Sequence, residues 1–262
     1  MAGGAEPQRV GLIGLGAIGR SLANLAAGRD DLALVGALVR DTRKDRGVAV
    51  PVVGTLAELL ALGPEVVVEI AGHEGLRQHG AAALRAGYDL IAVSVGALAD
   101  PALQDDLLEA AQASGRQVKV ASGAIGALDA IAAARLGGLE RVTHTTRKPA
   151  TTLLGAEGAT LREPRELFRG PARAAVVKFP ESVNVAAAVS LAGLGLDRTE
   201  VCVIADPAVE RNQHVVEVEG AFGRLRFEIA GIPSDDNPKT GRIVAMSILH
   251  TILMRRAPLV VG

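Results

Sequence analysis

Residues 10–19 read Val-Gly-Leu-Ile-Gly-Leu-Gly-Ala-Ile-Gly, and this stretch decides the fold. An apolar run that ends at Ile13 leads into the pattern Gly14-x-Gly16-x-x-Gly19, and a helix-like stretch follows. A dinucleotide-binding βαβ unit requires this order of strand, glycine turn and helix. Gly14 permits the tight turn, Gly16 lets the backbone approach a pyrophosphate, and Gly19 allows close helix packing. The stretch therefore predicts a dinucleotide whose pyrophosphate lies on the helix N-terminus.

The same residues come close to a P-loop, because Gly14-x-x-x-x-Gly19-Arg20-Ser21 differs from that motif at one position. Arg20 stands where a P-loop needs Lys, and its planar guanidinium has a different shape from an ammonium group. A P-loop also has no need of Gly16. The dinucleotide interpretation is therefore favoured.

The composition favours an α/β enzyme. Of the 262 residues 49% are hydrophobic but only 2% are aromatic, so small side chains are available to pack helices closely on a sheet. The net charge of −1 predicts no nucleic-acid partner and no polybasic membrane surface. Cys202 is the single cysteine, which excludes an internal disulfide and a cysteine-based zinc site. The chain has no long uncharged apolar stretch and no signal-peptide pattern, so we expect a cytoplasmic protein without a membrane partner.

The first 120 residues alternate strand and helix signals at short spacing. Strand signals lie at Arg9–Ile13, Leu32–Val39, Val66–Ile70, Asp89–Val93 and Gln117–Val120. Helix patterns lie at Ser21–Ala27, Ala57–Leu62, Gly75–Ala86 and Pro101–Ala113. Continuous apolar strands separated by helices predict a doubly wound parallel sheet, the Rossmann architecture, with ligands beyond the carboxyl ends of its strands.

The pattern changes after Ile125, where strand-rich sequence predicts a second, α+β domain with a mainly antiparallel sheet. We predict a dinucleotide-binding domain over 1–123, rejoined by 238–262, and a substrate domain over 124–237. The predicted strands are Arg141–Thr146, Ala174–Lys178, Glu200–Ala205, His214–Glu219 and Gly223–Ile229. The predicted helices are Ala127–Leu136, Ala186–Leu194 and Gly241–Met254.

The second domain lacks the sequence motifs of several dehydrogenase and hydrolase classes. A Tyr–Lys pair of the short-chain dehydrogenases is missing, because Ala92 stands four residues after the only tyrosine, Tyr88. Neither an HExxH helix nor a GxSxG turn occurs. Proton transfer is therefore left to His, Lys, Asp or Glu, and no metal site is predicted.

His214 is the histidine best placed for catalysis. It follows a polar loop that contains Asp206 and Arg211, and an alternating strand begins there. Histidine is the usual acid or base near neutral pH. A packing or surface role remains open for each of the five histidines, which are His73, His79, His144, His214 and His250.

A second polar cluster lies at 233–240, between Pro233 and the last predicted helix. Asn237, Lys239 and Thr240 provide amide, ammonium and hydroxyl groups at this point. One interpretation is a turn followed by a helix cap. The other is an anion site that binds a substrate carboxylate, and both can hold together.

Cofactor choice depends on the end of the second strand. NAD-selective Rossmann domains place an acidic residue there, which bonds the ribose 2′-OH, whereas a nearby Arg accommodates a 2′-phosphate. In this chain Arg40 occupies the usual acidic position, and Asp41 comes one residue later. Because guanidinium pairs with phosphate as a fork, we predict that both NAD and NADP are used.

Taken in order, the motifs of this chain resemble those of the L-aspartate dehydrogenase family. The resemblance covers nearly the whole chain, and the ordered combination of later motifs is specific although the glycine motif is generic. Gly241 is a departure, since family members often carry Ser there. The matching stretches are Gly11-Leu-Ile-Gly-Leu-Gly-Ala-Ile-Gly19, Glu69-Ile-Ala-Gly72, Val93-Ser-Val-Gly-Ala-Leu98, Ser122-Gly-Ala-Ile-Gly-Ala-Leu-Asp-Ala130, Thr146-Arg-Lys-Pro149, Phe179-Pro180, Asn184-Val-Ala-Ala187, Arg211-Asn-Gln-His214 and Asp236-Asn-Pro-Lys-Thr240.

This resemblance implies an NAD(P)-dependent enzyme that converts L-aspartate to iminosuccinate and then to oxaloacetate and ammonia, with iminosuccinate available for NAD biosynthesis. His214 matches the family's catalytic histidine and is expected to act as general base when water adds to the imine. Ala124 and Asn184 match cofactor-contacting positions, and the open face of the second sheet is expected to build a homodimer. The expected cofactor contacts are Gly14, Gly16, Ala17, Ile18, Gly19, Arg40, Ala71, Gly72, Ala124 and Asn184.

Two other functions remain open at this point. One is a reductase of an amino-acid skeleton similar to dihydrodipicolinate reductase, which would share the cofactor and a polar second domain. The other is a non-catalytic dinucleotide sensor, which would bind the cofactor without turnover.

Overall fold

The chain folds into two units. The structure, a computed structural model, describes residues 6–179, 184–234 and 236–261. Unit 1 comprises Met1–Ala121 with Val244–Val261, and unit 2 comprises Ser122–Ile243. The return to unit 1 begins later than the expected residue 238, because residues Asn237–Gly241 form a strand that pairs with Pro233–Ser234.

Unit 1 is built on a parallel sheet of six strands. Its elements are β1 (Gln8–Ile13), α1 (Ala17–Ala26), β2 (Leu32–Leu38), β3 (Val52–Val53), α2 (Leu56–Ala61), β4 (Val66–Glu69), α3 (His73–Arg85), β5 (Asp89–Ala92), a 3₁₀ turn (Val95–Ala99), α4 (Pro101–Ser114) and β6 (Val118–Val120). The strand order is β3-β2-β1-β4-β5-β6, and every neighbouring pair is parallel. The strand order reverses between β1 and β4, which is where open α/β sheets bind ligands.

The predicted doubly wound sheet is confirmed, and its central strands are apolar for a physical reason. Val10 and Leu12 of β1 and Val67 of β4 are fully buried, as expected for strands covered by helices on both faces. The helix α4 shows how local sequence sets an element's ends. The Asp100 carboxylate accepts the N–H of Ala102, and the helix stops at Gly115, whose φ is +66°.

The last helix, α9 (Ile243–Leu253), leads into a tail that is tied to unit 1 by ion pairs. Arg255 lies 2.9 Å from the carboxylate of Asp89, and Arg256 lies 2.6 Å from that of Glu65. None of the helices in the described part of the chain has the length and apolar character needed to cross a membrane.

Unit 2 contains a mixed sheet of five strands and a short hairpin. Its elements are α5 (Leu128–Leu136), β7 (Leu139–Pro149), α6 (Ala150–Leu154), a 3₁₀ turn (Glu157–Thr160), β8 (Arg165–Pro171), α7 (Ala172–Lys178), α8 (Asn184–Ala192), β9 (Glu200–Asp206), β10 (Gln213–Gly220), β11 (Gly223–Ala230), β12 (Pro233–Ser234) and β13 (Asn237–Gly241). The order is β11-β10-β7-β9-β8, and only β7 and β9 run parallel among these pairs. The predicted mainly antiparallel sheet is thus confirmed.

One face of this sheet packs on helices, and the strands alternate accordingly. Val142 of β7 and Val216 of β10 form a buried cluster with Ile131 of α5 and Val189 of α8. Residues between them in sequence, such as Thr143, are only partly buried. Since successive side chains point to opposite faces, the even-numbered residues of β7 and β10 face the helices.

The predicted strand over Ala174–Lys178 is wrong, because these residues belong to α7. The buried residues Ala172, Ala175 and Val176 follow helical spacing, and the helix starts directly after Pro171. A short apolar run does not distinguish a strand from a buried helix by periodicity. The strand β8 lies at the edge of the sheet and is not among the predicted strands.

Candidate active site

The glycine turn at the end of β1 has the geometry that a dinucleotide needs. Gly14 has a φ of +99°, and a Cβ atom there would lie 2.8 Å from Cα of Ala71. A Cβ atom at Gly16 would meet no heavy atom within 4 Å in the described part of the chain, so the turn is open on that side. Gly16 also precedes α1, whose first turn is capped by no described side chain. The free N–H groups of this turn, which include those of Ala17 and Ile18, suit an anion.

The remaining glycine of the motif brings α1 onto the sheet. A Cβ atom at Gly19 would lie 3.1 Å from Cδ1 of Ile70 and 3.2 Å from Cδ1 of Leu15. Any side chain would therefore push the helix away from the ends of the strands. The three glycines thus fit the three roles that the motif assigns to them.

A cleft of about 960 Å³ opens along this edge of unit 1. Gly14, Gly16, Arg40 and Ala71 from the predicted cofactor set line it, and its volume suits a large ligand. Its wall carries four cationic side chains, Arg20, Arg40, Lys44 and Arg46, and three carboxylates, Asp41, Asp45 and Glu74. The residues present therefore fit a phosphate-bearing dinucleotide.

The loop after β2 separates the two charges that bear on cofactor choice. Arg40 is exposed and lines the cleft. The carboxylate of Asp41 accepts the backbone N–H of Arg43 at 3.0 Å and its guanidinium Nε–H at 3.3 Å. Both residues line the cleft, and the Asp41 carboxylate is engaged within its own loop.

A buried carboxylate fixes the loop that faces Gly14. Glu69 ends β4 with no exposed surface, and its Oε1 accepts the Ala71 N–H and the Ser94 hydroxyl, each at 2.8 Å. Its Oε2 accepts the Ser94 N–H at 3.1 Å, and the Ser94 hydroxyl accepts the Gly72 N–H at 3.1 Å. Burial raises the pKa of Glu69, and the hydrogen bonds from Ser94 and Ala71 oppose that rise. This role of Glu69 is not predicted by the sequence pattern, although the residue lies in the stretch Glu69-Ile-Ala-Gly72.

Two histidines meet on the helix-covered face of unit 2. His214 of β10 is 7% exposed, and His144 of β7 is fully buried. Nε2 of His144 lies 3.2 Å from Nδ1 of His214, with the ring centroids 5.4 Å apart and the ring planes 19° from parallel, so the rings lie edge to edge. The register explains this meeting, because His214 pairs with Thr146, two residues along β7 from His144.

A buried lysine completes this cluster. Lys148 is 5% exposed and lies four residues after His144, on the same face of β7. Burial, followed by the positive charge of Lys148, lowers the pKa of His214 to about 4. The pKa of His144 is lowered well below its ordinary value by burial first and then by the charges of His214 and Lys148. Both rings are therefore neutral at neutral pH.

The comparisons with known proteins follow the division into two units. A family model described as "Aspartate dehydrogenase, C-terminal" matches residues 129–255, and one described as "Homoserine dehydrogenase, NAD binding domain" matches residues 14–121. L-aspartate dehydrogenase of Ruegeria pomeroyi is 44% identical over 258 residues, which cover 95% of this chain and 93% of that protein. The chain belongs to the L-aspartate dehydrogenase family.

Two further relatives support this membership. L-aspartate dehydrogenase of Pseudomonas aeruginosa is 47% identical over 195 residues, which cover 72% of this chain and 73% of that protein. The crystal structure of aspartate dehydrogenase from Thermotoga maritima superposes with a TM-score of 0.80 at 25% identity, covering 97% of this chain and 99% of that one. The fold and both units are therefore those of the aspartate dehydrogenases.

The other predicted site residues lie at separate positions in unit 2. Ala124 lies in the loop before α5, and Asn184 is the first residue of α8. The amide of Asn237 donates to the Thr240 hydroxyl at 3.1 Å, while the side chain of Lys239 lies outside the described residues.

The predicted helix start at Gly241 is wrong, because Gly241 ends β13 and α9 begins at Ile243. The strands β12 and β13 pair in antiparallel fashion, and the Ser234 hydroxyl donates to the Asn237 carbonyl at 2.9 Å. The turn-forming residues of this segment therefore serve a hairpin instead of a helix cap.

Replacing the buried cation tests its effect on the histidine pair. We expect Lys148→Met to raise the pKa of His214 above its value of about 4, although burial keeps it below the ordinary 6.5. The matched variant Lys148→Arg retains the charge and should leave the pKa low. A proton NMR titration of the His214 ring measures both values, and an unchanged pKa in the Met variant would contradict the assignment.

The same shift has a consequence for stability. Between pH 4 and 6.5 the unfolded chain binds more protons at His214 than the folded chain does, so the free energy of unfolding rises with pH in that interval. The free energy of unfolding should rise less steeply with pH in Lys148→Met than in Lys148→Arg. Urea unfolding at several pH values measures this difference.

Proposed function

We propose that the protein catalyses the NAD(P)-dependent oxidative deamination of L-aspartate. L-aspartate and the oxidised cofactor give iminosuccinate, the reduced cofactor and a proton. Water then adds to the imine, and loss of ammonia gives oxaloacetate. Iminosuccinate that leaves before hydrolysis would be available for NAD biosynthesis.

The observation that carries this proposal is the neutral, almost buried His214 in the unit that the aspartate dehydrogenase family model matches. A histidine held neutral at working pH has one ring nitrogen in contact with His144 and the other left for a substrate. Such a group can hold or move a proton at the substrate. A dinucleotide sensor has no need of it.

Unit 1 supplies the binding of the cofactor. A nicotinamide cofactor bound there would supply the acceptor for the hydride from Cα of the substrate. The open turn at Gly16 and the N–H groups of Ala17 and Ile18 would receive the pyrophosphate. The Glu69 carboxylate positions the neighbouring backbone of Ala71 and Gly72, on the opposite side of β1 from Arg40. Ala124 and Asn184 of unit 2 remain proposed cofactor contacts on the basis of the family motifs.

The substrate carries two carboxylates, which require positive charge or N–H donors. Lys148 supplies a buried positive charge beside the histidine pair. Asn237, Lys239 and Thr240 remain the proposed binding residues for a substrate carboxylate, because they combine a cation with two neutral polar groups.

The face of the unit 2 sheet opposite α5 and α8 is the proposed homodimer surface. Thr143 and Thr145 on this face are half-buried within one chain, and ion pairs join the strands around them. Arg141 pairs with Glu219 at 2.8 Å, for example. If this face forms a homodimer, light scattering should give twice the chain's mass of 26.8 kDa. We also propose that the enzyme lies in the cytoplasm.

A substrate panel tests the activity. The protein is incubated with NAD or NADP and with L-aspartate, D-aspartate, L-glutamate or L-alanine, and the absorbance of reduced nicotinamide is followed. We expect turnover with L-aspartate far above that with the other amino acids. Cofactor binding without turnover on any of them would favour the sensor, and selective reduction of a cyclic imine would favour the reductase.

The role of His214 is tested by removal of its ring. His214→Ala should retain cofactor affinity and lose turnover by roughly 10²–10⁴-fold, a range that covers the loss of a proton-transfer group and the loss of a hydrogen-bond donor to a substrate oxygen. The control His250→Ala removes an exposed histidine of α9 and should keep the parent activity. A kcat within a few-fold of the parent's in His214→Ala would remove this residue from the mechanism.

Cofactor choice is tested at the loop after β2. Arg40→Ala should weaken the binding of NADP more than that of NAD, because only NADP carries a 2′-phosphate for the guanidinium. The control Arg116→Ala removes an exposed arginine that precedes β6, at the opposite edge of the sheet. Dissociation constants from calorimetry measure the effect. Equal losses for both cofactors in Arg40→Ala, or a parent enzyme inactive with NADP, would contradict the prediction.

A further inference from the structure

The contact between the two histidines admits only two arrangements of hydrogen. Nε2 of His144 and Nδ1 of His214 lie 3.2 Å apart, and both rings are neutral. Each neutral imidazole carries one N–H, and at this distance two facing hydrogens or two facing lone pairs would repel, so exactly one hydrogen lies in the contact. Either His144 donates from Nε2, or His214 donates from Nδ1.

The surroundings of the other ring nitrogen of His144, Nδ1, distinguish these two arrangements. Nδ1 of His144 is fully buried and has no hydrogen-bond partner among the described residues. If His214 were the donor, the hydrogen of His144 would have to lie on this nitrogen, as a buried N–H without an acceptor. Orphaned buried N–H groups are rare in folded proteins because nothing compensates for their lost hydration. Nε2–H is also the intrinsically more stable form of the neutral histidine side chain.

We propose that His144 is a positioning residue that donates its Nε2–H to Nδ1 of His214, so that His214 presents its own Nε2–H to the substrate. The fully buried His144 lies behind the ring, while His214 keeps 7% of its surface exposed. The second ring nitrogen is thus the one left for a ligand. Because the group presented is a donor, its partner is an oxygen of the substrate, such as a carboxylate oxygen.

This arrangement deepens the proposed function and rests on it only in naming the substrate. It also differs from the general-base role that the family resemblance implies, since a resting Nε2–H has no lone pair to accept a proton from water. The interaction would bind and polarise a substrate oxygen. The hydrogen position itself is a property of the protein without cofactor or substrate, so it is measured independently of activity.

Nitrogen NMR of the ¹⁵N-histidine-labelled protein, without cofactor, tests the proposal directly. We expect protonated-type shifts for Nε2 and bare-type shifts for Nδ1 in both rings at pH 7. The signals are assigned by their loss in His144→Gln and His214→Ala. A bare-type Nε2 on His214 would overturn the proposal whatever the activity is. The expected shifts in a protein that does not oxidise L-aspartate would overturn the proposed function alone.

A pair of substitutions separates hydrogen bonding from packing. In His144→Gln the amide nitrogen comes near the place of Nε2 and still donates, whereas His144→Met fills similar space without a donor. We expect kcat/KM for L-aspartate to fall by roughly 10–100-fold in the Met variant, as for other groups that orient a functional histidine. The Gln variant should stay within a few-fold of the parent. Equal losses in both variants would overturn the positioning role. If either variant fails to fold, the NMR measurement on the parent protein decides the question.

Discussion

The close approach of two backbone segments at the carboxyl edge of the parallel sheet determines the shape of the cofactor cleft. At Gly14 the chain turns so near to Ala71 that a Cβ atom would lie 2.8 Å from the neighbouring Cα. The buried Glu69 carboxylate accepts the N–H of Ala71, and Ser94 extends the same network to Gly72. A side chain at Gly14 or a lost acceptor at Glu69 would move the loops that line the cleft.

Unit 2 depends on a different constraint, the alternation of a sheet that has one covered face. His144 and Lys148 of β7 and His214 of β10 share that face, where burial and a nearby cation keep the rings neutral. A histidine that does not titrate near neutral pH is a stable hydrogen-bonding group over the whole working range. The chemistry of the site therefore follows from which residues the pairing register brings together.

Local patterns predicted much of this molecule, and the failures have physical causes. Five of the six strands of unit 1 and the glycine turn are predictable because continuous apolar runs and glycine spacing are local signals. The strand predicted at Ala174–Lys178 is wrong because a short apolar run fits a buried helix as well as a strand. The partnership of His144 with His214 spans 70 residues and depends on strand register, which no local pattern specifies. Likewise, the sequence shows Glu69 only as the end of an apolar strand. Its hydrogen bonds to Ser94 depend on the pairing of β4 with β5.

The most direct measurement follows the hydrogen that leaves Cα. The enzyme is given L-aspartate deuterated at Cα together with NAD, and the reduced cofactor is isolated and examined by NMR and mass spectrometry. Oxidation of L-aspartate by hydride transfer predicts one deuterium at C4 of the reduced nicotinamide ring, on a single face, with oxaloacetate and ammonia as products. Reduced cofactor without deuterium, or unchanged substrate with tightly bound cofactor, would contradict it.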